Sequence, residues 1–205
     1  MPSTGSKAAA LDGEPRYEFR IWAPSLAEVR ARMDRLSQPE PAQQTRETYI
    51  VSEMTCDTNA KIRAGLMDIK VLLGAESGLE QWNVYLKADF PIDATLIAQK
   101  IFPALRVEAP ALPGRAFTAE EFIDAVVKPH QRLAAVEVVK NRRRYPMGES
   151  VAEFVEIEIF GRKLQSIAVE SASARAVLDA VRQLGIGGQA NISYVRQIKS
   201  MLARG

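Results

Sequence analysis

Three segments, 133–145 (LAAVEVVKNRRRY), 150–161 (SVAEFVEIEIFG) and 163–171 (KLQSIAVES), alternate apolar and polar residues and follow one another with almost nothing between them. Alternation at period two marks a strand whose faces meet different surroundings. Gly148 and Gly161 stand where two hairpin turns are needed. Strands joined by such short turns pair antiparallel, because a parallel crossover takes a dozen residues or more. A doubly wound parallel sheet is therefore excluded for this part of the chain.

The same pattern recurs upstream. Residues 16–24 (RYEFRIWAP) read as a strand stopped by Pro24, and 45–53, 59–65, 67–73 and 79–90 as four more. Helices are expected at 25–37, 91–105, 118–130, 173–185 and 191–203. In the first, Ser25 reads as the N-cap and Leu26, Val29, Met33 and Leu36 lie at helical spacing. Thr118 and Glu121 fit a capping box. Ser173 and Gly185 bracket the fourth helix as N-cap and C-cap. Residues 106–117 (RVEAPALPGRAF) read as irregular and lid-like. Eight strands with helices after the first, in the middle and at the end give an α+β fold. The expected form is a closed or nearly closed eight-stranded antiparallel β-barrel, a tunnel with helices packed outside. Residues 1–14 read as a flexible tail and 15–205 as one domain.

A net charge of +2 over 205 residues does not suit a dedicated nucleic-acid binder. No apolar run approaches the ~20 residues of a membrane span. One cysteine, Cys56, excludes an internal disulfide and fits a reducing, cytoplasmic compartment. The one histidine, His130, cannot make a multi-histidine metal site. Oligomeric state is left open.

The charged residues of the strands form rows. Lys140, Arg142 and Arg144 alternate, as do Glu156 and Glu158, Arg16, Glu18 and Arg20, and Lys61 and Arg63; Lys70 and Glu170 extend the pattern. The signs sort by strand, basic on 61–70 and 140–144, acidic on 156–170, whereas a solvated face usually mixes them. The opposite rows, Val139 in one strand and Val155, Ile157 and Ile159 in the next, need cover that outer helices can supply. The charged rows are therefore expected to face inward, into a lumen that is wet or filled by ligand, because unpaired buried charge is very costly. Lysine and arginine suit phosphate oxygens, and carboxylates suit Mg²⁺ or Mn²⁺.

These same residues resemble the CYTH superfamily, the triphosphate tunnel metalloenzymes, over about Arg16 to Met201. The stretch RYEFR is similar to that family's opening Glu-x-Glu-x-Lys strand. YIVSEMTCDTNAKIRAGLMDIK is similar to its Tyr-x-Asp-Thr … Leu-Arg-x-Arg … Leu-Thr-x-Lys stretch. KNR resembles its Lys-x-Arg strand, FVEIEIF and SIAVES its acidic strands, and SYVRQIKSML its closing helix. The resemblance implies phosphate binding by Arg20, Lys61, Arg63, Lys70, Lys140 and Arg142. It implies metal binding by Glu18, Glu156, Glu158 and Glu170. It also implies a small phosphorylated ligand: a triphosphate, a nucleotide or a compound like thiamine triphosphate.

The chain departs from the pattern on the acidic side. Arg16 stands where the family has its first glutamate, Glu170 is flanked by Ala168 and Ala172, and Trp82 and Val84 replace an Arg and a Glu. The leading expectation is a divalent-metal-dependent phosphohydrolase (a triphosphatase) using a metal-oriented water. The alternative is a catalytically weakened or inactive nucleotide- or polyphosphate-binding protein on the same fold, and a class IV-type adenylyl cyclase ranks below both. No side chain stands out as a general base. KNRRRY as a nucleic-acid patch is disfavoured by its place inside a strand. Trp22 and Tyr194 are expected in cores or rims, and Trp82 either inward or in outer packing.

Overall fold

The computed structural model describes residues 13–204, so the first twelve residues of the expected tail lie outside the described part. Ten strands form: β1 Arg16–Ala23, β2 Gln43–Ser52, β3 Thr58–Arg63, β4 Leu66–Glu76, β5 Leu79–Asp89, β6 Ile92–Asp93, β7 Ala116–Phe117, β8 Leu133–Met147, β9 Ser150–Ile159 and β10 Arg162–Ser171. Eight of them close into an antiparallel barrel in the order β1-β10-β9-β8-β2-β3-β4-β5, with β5 returning to β1. The two-residue pair β6–β7 was not expected; it ties together the starts of the two helical segments that follow these strands. Left-handed turns at Gly65, Gly78, Gly148 and Gly161 link successive barrel strands.

Two apolar layers cover the barrel from outside. Residues 94–104 and 119–127 form helices whose Ile97, Ile101, Phe102, Phe122 and Val126 pack on Ile50, Ile62, Met67, Ile69 and Leu86 of β2–β5. The capping box of the second is present, with Thr118 Oγ1 accepting from Glu121 N and the Glu121 carboxylate accepting from Thr118 N. On the other side, helices Ala27–Leu36 and Ala174–Leu184 pack Met33, Val177, Val181 and Leu184 on Phe19, Ile21, Phe154, Ile167 and Val169. Ser173 and Gly185 cap the second of these as expected. The first starts later than its sequence suggests: Leu26, not Ser25, is the N-cap position and makes no side-chain cap bond. Leu26 N instead donates to Gln165 Oε1 at 2.6 Å, so tertiary contact replaces the serine cap.

The last helix, Tyr194–Leu202, does something different. Its Tyr194, Ile198 and Met201 pack on Tyr49, Val51, Val136, Val138, Val155, Ile157 and Ile159. These lie on the inward faces of β2, β8 and β9, so the helix closes one end of the barrel from within. Among the described residues no helix is long and apolar enough to cross a membrane.

Candidate functional site

Strand parity sets what the other half of the barrel holds. On β8 the row that begins with Val136 and Val138 continues as Lys140, Arg142 and Arg144; on β2, Val51 and Tyr49 give way to Glu47 and Thr45. The strands thus carry an apolar end and a charged end on one face. The charged end encloses a cavity of about 240 Å³. Its walls include Glu18, Arg20, Lys61, Arg63, Lys70, Lys140, Arg142 and Glu170, eight of the ten residues expected at the site.

The other two do not belong to it. Glu156 and Glu158 are exposed on the outer face of β9, where Asn141 Nδ2 donates to Glu156 at 3.1 Å. The row expected to lie outside, Val155, Ile157 and Ile159, is the inward one. It is covered by the closing helix, which supplies from inside the apolar partner that outer helices were expected to give. The inward acidic residue of β9 is Glu153.

Sequence reasoning also missed Glu47, Asp68, Tyr49 and Lys87, all of which line the cavity. Parity with Lys61 and Lys70 across the β2–β3 and β3–β4 registers could have found Glu47 and Asp68. Tyr194 forms the floor: Lys140 Nζ lies 3.9 Å from its ring centroid and the Arg20 guanidinium 4.5 Å, while its face stacks on Tyr49. Trp82 faces inward, with its indole N–H donating to Glu80 at 3.2 Å.

The charges are organised into two groups. On the acidic wall, Glu18 and Glu170 are direct cross-strand partners on β1 and β10, and Glu153 faces Ala168 on the adjoining pair. Each is met by arginine. Arg20 Nε donates to Glu18 at 2.8 Å, Arg16 lies 3.5 Å from Glu170, and Arg142 and Arg144 lie 3.3 and 3.7 Å from Glu153. Burial pushes the Glu18 carboxyl up, but Arg20, helped by Lys70 and Lys61, more than offsets it and holds it below the usual range. Glu170 is raised by burial first, then by Glu153 and Glu18.

On the basic wall, Glu47, only 3% exposed, gathers Lys140 at 2.6 Å, Lys61 at 3.2 Å and Arg63 at 3.7 Å. Despite burial, Lys140 and Lys61 hold its carboxyl down at about 2. Lys140, which also donates to Tyr49 Oη at 2.8 Å, is pushed down to about 7 by burial and by Lys61, against the pull of Glu47. Lys70 and Lys87 have no ion-pair partner among the described residues.

The sequence matches no protein-family model and no curated protein. Its fold matches solved structures. The PH1012 protein of Pyrococcus horikoshii superposes with a TM-score of 0.51 at 14% identity, over 85% of this chain and 91% of that one. A candidate adenylate cyclase from Bacillus halodurans gives 0.50 at 10% identity, over 92% and 98%. A candidate adenylyl cyclase from Hippeastrum, described as having a dominant triphosphatase activity, gives 0.51 at 13% identity, over 92% and 96%. The likeness is one of fold, a closed eight-stranded antiparallel tunnel.

In this tunnel the donor set does not fit a resident Mg²⁺ or Mn²⁺. A hard divalent ion takes six or more oxygens. Here the carboxylates of the acidic wall are already paired with guanidinium groups, and no group of three Asp, Glu, His or Cys residues among those described could hold a metal. Arg16, half exposed, adds positive charge beside Glu170. What the tunnel can do chemically is hold an anion with several charges, using Lys61, Arg63, Lys70, Lys140 and Arg142 as converging donors.

Proposed function

We propose that the tunnel binds a polyphosphate-bearing anion, an inorganic triphosphate or a nucleoside or thiamine triphosphate, through the basic wall. One observation carries this reading: seven basic side chains converge on one small cavity against five acidic ones, two of the lysines having no ion-pair partner. Lys70, half-buried, and Lys87, exposed, thus bring to the cavity positive charge that no carboxylate among the described residues pairs with. The triphosphatase activity named for the Hippeastrum neighbour makes hydrolysis of the bound triphosphate the second reading. The paired acidic wall favours binding over turnover, because each of its three carboxylates is held by a guanidinium; Asp68 is the cavity carboxylate with no ion pair among the described residues. The neighbours described as adenylyl cyclases make cyclic nucleotide formation from ATP a further product to assay.

The test is calorimetric titration of tripolyphosphate into the protein with EDTA present, alongside assays for inorganic phosphate and cyclic AMP. Saturable binding that weakens as salt rises is expected. Absence of binding at low salt, with and without Mg²⁺, contradicts the reading. Phosphate release at enzymatic rates moves hydrolysis to first place.

A further inference from the structure

Glu47 stands apart from the other tunnel carboxylates. Glu153 and Glu170 meet partly exposed arginines and Glu18 meets the single buried Arg20, whereas Glu47 is the one carboxylate set among three cations, from two strands. Its Oε2 takes both Lys140 Nζ and Lys61 Nζ, and its Oε1 faces Arg63. One negative charge thus sits where three positive ones converge, leaving an excess of positive charge around the buried Glu47 carboxylate. A tetrahedral phosphoryl group, with three terminal oxygens and up to two charges, matches that point of convergence better than a planar carboxylate does.

Resting on the reading of the tunnel as a polyphosphate site, we propose that Glu47 is a built-in competitor anion. It occupies the innermost phosphoryl position in the free protein and must be displaced by the ligand, which makes the tunnel select for polyanions. An anion with a single phosphoryl group gives up much of its gain in displacing Glu47. A longer one also reaches Lys70, which no carboxylate holds, and Arg142 near the mouth. The low proton affinity of Lys140, caused by burial and Lys61, fits a site whose cations outnumber its resident anion.

The sign of one substitution separates this from a scaffold role. A scaffold that aims Lys61, Arg63 and Lys140 at the ligand would lose affinity when removed, whereas a competitor would yield affinity. Calorimetry with orthophosphate, pyrophosphate and tripolyphosphate should be run on the wild type, Glu47→Gln and Glu47→Asp. Glu47→Gln removes the charge; Glu47→Asp keeps it but draws the carboxylate back by one methylene, so the fold retains its buried anion. The expected result is about tenfold tighter tripolyphosphate binding to Glu47→Gln, equivalent to about 1.4 kcal/mol, and a smaller gain for Glu47→Asp. Orthophosphate should bind Glu47→Gln measurably while failing to compete in the wild type.

If Glu47→Gln does not fold, the gain in Glu47→Asp decides the matter. Equal or weaker tripolyphosphate binding by the folded variants, with the wild type binding, overturns the competitor role and leaves the polyphosphate site standing. Failure of wild type and variants alike to bind any of the three anions overturns both.

Discussion

The two ends of the barrel interior are built from the same strands and the same rows, yet they do opposite things. Along the inner face of β8, Val136 and Val138 pack on Ile198 and its neighbours in the closing helix; one further step brings Lys140 to the edge of a wet, charged cavity. On β9 the row passes the other way, from Glu153 to Val155, Ile157 and Ile159. The apolar end gives a rigid floor without specificity. The charged end holds the side chains proposed for recognition, and its ion pairs, taken as a whole, seldom gain more than their desolvation costs. Tyr194 stands at the boundary, apolar towards Tyr49 and Trp22 and π-face towards Lys140 and Arg20.

Substitutions at the two ends should therefore fail differently. Ile198→Ala at the closed end should cost about 2–5 kcal/mol of stability, as for other buried aliphatic truncations, and urea unfolding would show it. A loss under 1 kcal/mol would mean the helix does not close the barrel as described. At the charged end, acid should act through Glu47. Its carboxyl is held at about 2, below its ordinary 4.5, so its stabilisation is full above about pH 4.5 and is lost as pH falls toward 2. At 1.36 kcal/mol per pH unit the loss is roughly 3 kcal/mol. Urea unfolding between pH 2 and 5 should show this slope in the wild type and a flatter one in Glu47→Gln.

Binding variants separate the ends further. Arg63→Ala should weaken tripolyphosphate binding by roughly 1.5–3 kcal/mol, the range for a charged hydrogen bond, and leave the urea midpoint nearly unchanged. A variant that loses stability without losing binding would place Arg63 with the structural end. A smaller effect comes from Lys140, which lies at about 7 in the free tunnel and should be raised by a bound anion. Above pH 7 binding must then take up a proton. Affinity should fall by up to about tenfold, or 1.4 kcal/mol, between pH 7 and 8, and heats measured in buffers of different ionisation enthalpy should differ. The smallest effect is expected outside: Glu156→Gln and Glu158→Gln should change stability by no more than about 0.5 kcal/mol, as for ordinary surface positions, and leave tripolyphosphate affinity as it is.

That last pair marks the limit of what the sequence reveals. Alternation makes the barrel strands legible, and glycine turns with capping residues place their ends and most helix ends. Two-residue periodicity splits each strand into two rows but does not say which row faces in. On β1 and β3 the apolar row lies under outer helices and the charged row turns inward, so the simple rule works for Arg20 and Lys61; on β8 Val136 and Val138 share the inward row with Lys140. On β9 the outward row starts with Phe154, covered by outer helices, and continues as Glu156 and Glu158 in solvent. Its inward row is apolar because the closing helix enters the lumen. Nothing local to β9 encodes a partner some forty residues downstream. Glu47 was obscured for a related reason, because a lone carboxylate in TRETYIVSE acquires meaning only when the β2–β3 register sets it opposite Arg63.

The most direct measurement is a crystal structure of the protein with tripolyphosphate. A terminal phosphoryl group should lie within hydrogen-bond distance of Lys61, Arg63 and Lys140 above Tyr194, with the Glu47 carboxylate turned away from the lysines and the chain running toward Lys70 and Arg142. Tripolyphosphate found only on the outer surface, with the Glu47 cluster unchanged in crystals soaked at saturating concentration, would contradict the assignment of the tunnel as the binding site.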